Sequence, residues 1–223
     1  MTQSFDWTRG FLLDFALDTG KSPGAVSTRR RLSQMQTMYR DAEAAARLVR
    51  EGDPLVYEFY ELGAPEHAGD LAFGTSIVYP GKVGDEYFMT KGHFHTVLDT
   101  AEVYYCLAGK GGMLIESPEG DTAFHEFTPG QALYVPKRYA HRSVNTGTET
   151  LVTFFVFRGD AGHNYGAIET EGFRKLVVDR GGVPTLIDNK KGEGRCGDWR
   201  WTRKEGSACR SLECQPSENA RRW

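Results

Sequence analysis

His93 and His95 are separated by one residue in the run TKGHFH. Residues i and i+2 of a β-strand face the same side, so both imidazoles point toward one cavity if this run is extended. Six residues then intervene before Glu102, enough for a short turn and a return strand that carries its carboxylate back to the same cavity. A fourth ligand must come from further along. His141 is the candidate, because in GQALYVPKRYAHRSVN an apolar strand-like segment from Ala132 to Val135 meets Pro136 and a turn before the histidine. Three imidazoles with one carboxylate suit borderline divalent ions such as Fe, Mn, Zn, Ni or Co, and fit poorly with the all-oxygen shells of Ca or Mg. One such histidine taken alone reads more readily as a polar residue satisfied at a strand end; the set at these intervals is what argues for a metal. Glu102 is the sole carboxylate among the candidates, and its second oxygen is available to handle a substrate proton. Tyr104 shares its strand face at i+2, as a pocket-lining phenol rather than a core ring.

The elements that must position these side chains are strands. After Asp53 the pattern becomes alternating or short apolar runs: LVYEFYEL, LAFGTSIVYP, EYFMT, AEVYYCLAG, GGMLIES, AFHEFTP, ALYVP, RSVNT and LVTFFVF. Turn signals such as Pro80-Gly81, Pro118 to Asp121, Pro129-Gly130 and Thr146-Gly147-Thr148 separate them, at the spacing of a β-sandwich or barrel. Phe173 to Asp188 reads as a closing hairpin around Gly181-Gly182.

One helix is expected, from Thr28 to Glu51, because Leu32, Met35, Tyr39, Ala42, Ala46 and Val49 recur at helical intervals, with Ser27 or Thr28 as N-cap and Gly52 and Pro54 at its end. Arg29, Arg30 and Arg31 then form a solvated first turn and receive no function. Residues 1–52 make an N-terminal arm and helix, residues 53–189 the metal-bearing domain, and residues 190–223 a flexible tail rich in Gly, Arg, Lys, Glu and Ser.

A chain of 223 residues with 27 basic and 30 acidic side chains is near neutral, which gives no reason to expect nucleic acid or an acidic membrane surface as partner. FLLDFAL is interrupted by Asp14 and preceded by no basic run, so neither a signal peptide nor a spanning helix is expected, and the compartment is cytoplasmic. Cys106 reads as a buried apolar residue. Cys196, Cys209 and Cys214 form no C-x-x-C pair, and no disulfide framework is expected.

His93, His95, Glu102 and Gly109 sit at the intervals of the first cupin motif, and Gly130, Pro136, His141 and Asn145 at those of the second. Two departures stand out: the longer gap between His95 and Glu102, and Arg138 where the general motif has glycine. Together with LDTAEVYYCLAGKGGML, YVPKRYAHRSVN and DAGHNYG, the chain from Thr28 to Asn189 resembles the cupin-type phosphoglucose isomerases. The resemblance implies an all-β, jelly-roll-like cupin barrel and interconversion of glucose 6-phosphate and fructose 6-phosphate in central sugar metabolism. It further implies one divalent metal ion per subunit, Fe2+ first and Mn2+, Zn2+, Ni2+ or Co2+ as alternatives, and a homodimer acting on a small sugar phosphate. The ion stabilises an enediolate, with a carboxylate or histidine moving the proton; a hydride shift between the carbons is the rival path. By the same resemblance the phosphate meets Thr75, Ser76, Thr90 and Gly92, while His163 and Tyr165 line the pocket. Ser76 stands where the family has a threonine and Phe157 where it has a tyrosine, so one hydroxyl contact is lost. Two other readings use the same ligands: a cupin iron dioxygenase, distinguished by oxygen uptake, and a non-catalytic sugar-phosphate sensor.

Overall fold

The computed structural model describes residues 5–62 and 65–191. An irregular arm leads to β1 (Ser27–Arg31), two 3-10 turns (Leu32–Gln34 and Gln36–Met38) and α1 (Ala42–Glu51). Then come β2 (Leu55–Leu62), β3 (Leu71–Val78), β4 (Lys82–Val83), β5 (Glu86–Tyr87), β6 (Phe94–His95), β7 (Glu102–Ala108) and β8 (Gly111–Glu116). β9 (Thr122–Phe127), β10 (Ala132–Val135), β11 (Ala140–Asn145), β12 (Leu151–Arg158) and β13 (His163–Asn164) follow, and the chain closes with α2 (Gly166–Glu171), β14 (Lys175–Arg180) and β15 (Val183–Asp188).

β1-β2-β3-β12-β7-β10 form one sheet, antiparallel at every pairing. A sheet of β11-β8-β9, another of β15-β14-β5-β4 and the short pair β13-β6 complete the all-β cupin barrel. Period-two alternation explains the layering. Inward residues of the large sheet, such as Tyr57, Ala72, Tyr104 and Phe155, join Met113, Leu114 and Val144 of the smaller one in a single core. The opposite face of the large sheet is covered by the arm, where Phe11 stacks on Phe73 with centroids 6.4 Å apart and Phe15 meets Phe154 edge-on at 6.0 Å.

The helix is shorter than its apolar spacing suggests. Ser27–Arg31 is an edge strand, each residue paired with β2, and Arg29 Nε donates to Glu58 Oε2 at 2.9 Å. Burial would raise the Glu58 carboxyl, but the Tyr79 hydroxyl and Arg29 outweigh it and hold it below the usual range. Leu32, Met35 and Tyr39 are buried as their periodicity implies, yet Leu32 and Met35 by a 3-10 turn, which also sets residues i and i+3 on one side, and Tyr39 at the extended residue that ends the second turn. The N-cap is Asp41, whose side chain accepts from the Ala44 N–H at 2.9 Å, and neither Ser27 nor Thr28 serves. The tail from residue 192, with Cys196, Cys209 and Cys214, lies outside the described residues. Among the described residues no helix is long and apolar enough to cross a membrane.

Candidate active site

His93, His95, Glu102 and His141 each turn one ligand atom to a common point, all within 4.8 Å of one another. The backbone dictates this. His93 and His141 are directly opposed, with His141 N–H donating to the His93 carbonyl at 3.1 Å and the reverse bond at 3.3 Å. The loop between His95 and Glu102 brings the Thr100 carbonyl 3.2 Å from His95 Nδ1, which leaves Nε2 facing Glu102 Oε2 at 3.1 Å. The extra length of that loop therefore orients a ligand, as a carbonyl behind a metal-binding imidazole commonly does. His141 Nδ1 lies 3.4 Å from the Tyr139 carbonyl, and its Nε2 again faces Glu102 Oε2, at 2.8 Å.

The donor chemistry fits a borderline divalent ion. His93 Nε2 and His141 Nε2 are buried without a well-aligned hydrogen bond; the short His141 to Glu102 separation is an ion-pair distance off the hydrogen-bonding line. Two orphaned imidazole nitrogens beside a carboxylate, all dry, are costly unless a cation binds them. Burial, then the neighbouring imidazoles, hold the His93 pKa well below its ordinary value, so the ring is neutral and offers a lone pair. For Glu102 burial pushes upward, but His141 and His95 outweigh it and bring the carboxyl down to about 2.

Above this cluster opens a cavity. Its floor is the inward face of the large sheet: Tyr57, Phe59 and Glu61 from β2, Ser76 from β3, Phe155 and Phe157 from β12, and Glu102 and Tyr104 from β7. Thr90 to His93, Ser143, His163 and Tyr165 form the opposing wall. His163 is placed by its pairing with His95 across β13 and β6, and its ring sits 4.3 Å from that of His93 and 5.4 Å from Phe157. Burial, only partly offset by Glu102, drops His163 to about 4, so it is neutral near pH 7. Tyr104 is raised well above its usual value by burial and then by Glu102, and stays a phenol. Gly92 holds a left-handed φ of 72°, and a Cβ there would come within 2.9 Å of the His141 carbonyl; a side chain would push the two histidine segments apart.

Thr75 is not brought to the cavity. It alternates with Ser76 on β3, so it faces the arm, where its hydroxyl donates to the Gly20 carbonyl. The Ser76 hydroxyl makes no hydrogen bond among the described residues, and the Thr90 hydroxyl accepts one from the Ser143 N–H at 3.1 Å, leaving its proton free to be donated. Arg138 takes the left-handed conformation of the glycine it replaces, with φ 72°, held by its N–H on the Leu98 carbonyl at 2.8 Å and its guanidinium on Glu119 at 2.7 Å. The spacing of residues did not single out Tyr57, Phe59, Glu61, Lys91, Ser143 or Phe155. For the first three, the alternation of LVYEFYEL was the available signal.

A family model described as Glucose-6-phosphate isomerase (GPI) matches residues 29–191. The glucose-6-phosphate isomerase of Thermococcus gammatolerans is 47% identical over 186 residues, 83% of this chain and 98% of that protein. That of Thermococcus litoralis is 48% identical over 182 residues, covering 82% and 95% respectively. The glucose-6-phosphate isomerase of Sinorhizobium medicae is 43% identical over 178 residues, 78% of this chain and 83% of that protein.

Proposed function

The chain belongs to the glucose-6-phosphate isomerase (GPI) family, whose reaction interconverts glucose 6-phosphate and fructose 6-phosphate, and we propose that it carries out this aldose-ketose isomerisation with the side chains that converge in the cavity. The observation that carries the reading is the convergence of three imidazoles and one carboxylate beneath a cavity with free hydroxyls on its walls.

His93, His95, Glu102 and His141 are the metal ligands in this reading, with Fe2+ the first choice and Mn2+, Zn2+, Ni2+ or Co2+ as substitutes. These four residues would hold a divalent ion, which would supply Lewis acidity for the sugar's reacting oxygens. The chain's own groups do the rest. Glu102 lines the cavity, its Oε2 facing His95 and His141 and its carboxylate meeting the Tyr104 hydroxyl, and in this reading it takes the proton that leaves C2 and returns it at C1. His163, neutral and buried, is the second group able to move a proton, and Tyr104 presents its hydroxyl beside Glu102. Ser76, Thr90, the backbone at Gly92 and Tyr165 bind the phosphate end, and Thr75 supports the arm instead.

We assign the substrate-handling unit to residues 53–189, the arm and helix to residues 1–52 and an accessory tail to residues 190–223; every proposed ligand and substrate contact falls in the middle segment. A chain ending at Asn189 is expected to fold and isomerise at the full rate, checked by circular dichroism and a coupled assay. A folded but inactive truncation would show that the tail completes the site. The proposed setting is cytoplasmic central sugar metabolism, glycolysis and gluconeogenesis, as a homodimer to which the exposed arm residues Leu12 and Leu17 contribute.

The test is turnover of fructose 6-phosphate in a coupled assay, before and after chelation and with each divalent ion restored. Activity is expected to vanish on chelation and return with metal. Free fructose is expected to be a poor substrate in both turnover and affinity, because binding energy at the remote phosphate orients the reacting carbons. Comparable turnover of phosphorylated and free sugar would refute the phosphate assignment.

A further inference from the structure

β2 contributes a carboxylate that the mechanism above does not use. Glu61 lies on the inward face of the strand with Tyr57 and Phe59, two and four residues away, and lines the same cavity. In register across the sheet it is opposite Gly74 of β3, which is opposite Phe155 of β12, which is opposite Tyr104 of β7. These positions make one transverse row on the cavity floor. Gly74 brings no side chain to that row, and Phe155 brings only a ring, which a Cβ on Gly74 would meet at 2.9 Å. The polar groups of the row are therefore the Glu61 carboxylate at one end and the Tyr104 hydroxyl at the other, beside Glu102.

Glu61 has neither a hydrogen bond nor an ion pair among the described residues. Most buried carboxylates in this chain are paired: Glu58 with Arg29 and Tyr79, Glu116 with Arg174, Glu102 with the histidines. A half-buried carboxylate without a donor is costly, and only something that enters the cavity can supply one. Burial, then the nearby Glu102, push the Glu61 carboxyl up to about 7, and above that pH the phosphate is not its ligand, because two anions repel. It belongs with Ser76 and Thr90, and Ser76 lies in the neighbouring row, opposite Phe59 and one side-chain repeat along the strands from Glu61. Between the phosphate and the carbons held at Glu102, an open-chain sugar phosphate carries hydroxyls alone. A carboxylate accepts readily from hydroxyls, from two at a time when they are vicinal.

We infer that Glu61 is a substrate-contacting specificity residue, accepting hydrogen bonds from the chain hydroxyls that lie between the isomerising carbons and the phosphate. The inference rests on the sugar-phosphate reading and sharpens it. The cavity selects polyol phosphates over equally charged phosphates without hydroxyls, and the selection comes from β2.

The experiment compares affinities for two probes that do not turn over, glucitol 6-phosphate and inorganic phosphate, measured by calorimetry on the full metal-loaded chain and on Glu61→Ala and Glu61→Gln. The ratio of the two affinities is expected to fall tenfold or more in Glu61→Ala and less in Glu61→Gln, which keeps one acceptor oxygen. Inorganic phosphate itself is expected to bind the alanine variant as well as the parent or better, since a negative charge has been removed. A 4-deoxy or 3-deoxy analogue is expected to cost the parent affinity and to cost Glu61→Ala much less. An unmoved ratio in both variants overturns the assignment, and if both affinities have also fallen equally, Glu61 is structural. A parent that binds glucitol 6-phosphate but does not isomerise fructose 6-phosphate overturns the isomerase reading instead, while the ratio still decides the role of Glu61.

Discussion

His141→Ala is expected to remove the metal and the isomerase activity together, with the fold retained. The side chain is buried, and its Nε2 stands 2.8 Å from Glu102 Oε2. Loss of a group that merely supports a metal ligand already costs roughly 10–100-fold in metal affinity, and loss of a ligand itself should cost more. The fold survives because the pairing of residue 141 with His93 is made by backbone atoms, which alanine keeps. Metal-to-protein ratios after dialysis are the measurement, with His125→Ala, an exposed position on β9, as the comparison. An unchanged ratio in His141→Ala, at parent circular dichroism, would take that residue out of the centre.

The ligand set was legible in the sequence because it depends on strand parity and on two loops whose lengths are printed in the chain. His93 and His95 share a side by parity alone. What parity does not reveal is which side is inward where both neighbours are polar. Thr75 and Ser76 are equally good hydroxyls, and a one-residue choice of face separates a cavity contact from a bond to Gly20. The same difficulty hid Glu61: LVYEFYEL alternates clearly, yet Tyr57, Phe59 and Glu61 look no more inward than Val56, Glu58 and Tyr60 until the register with β3 is known. The long helix was misread for another reason. Leu32 and Met35 fit a helical stripe and a 3-10 turn alike, and pairing of Ser27–Arg31 with β2, which satisfies a row of backbone groups, decided the conformation at a level that local spacing does not encode. Arg138 held its left-handed turn through a main-chain bond to Leu98, a contact 40 positions distant.

Glu102→Gln is expected to keep much of the metal and lose on the order of 100-fold or more in turnover, the usual range for removal of a general base. Glutamine preserves the size and one oxygen able to act as a ligand, so the change isolates basicity from coordination. The geometry favours the role: Glu102 lines the cavity beside the Tyr104 hydroxyl, while His95 and His141 both approach its Oε2. The charge state argues partly the other way. With the carboxyl at about 2, set by the two histidines against burial, Glu102 is ionised at pH 7 but weakly basic, and a bound cation would weaken it further. His163 is the rival, since it is neutral near pH 7 and stands on the opposite wall of the same cavity. The two are separated by following the hydrogen itself. Glucose 6-phosphate deuterated at C2 should lose label to solvent if a side chain carries the proton, and pass it intact to C1 if hydride moves directly between the carbons. Near-parent turnover in metal-loaded Glu102→Gln would leave Glu102 a ligand only. Washout of label in that variant would then assign the proton to His163, to be checked by its loss in His163→Gln, and complete retention would assign the step to the hydride path.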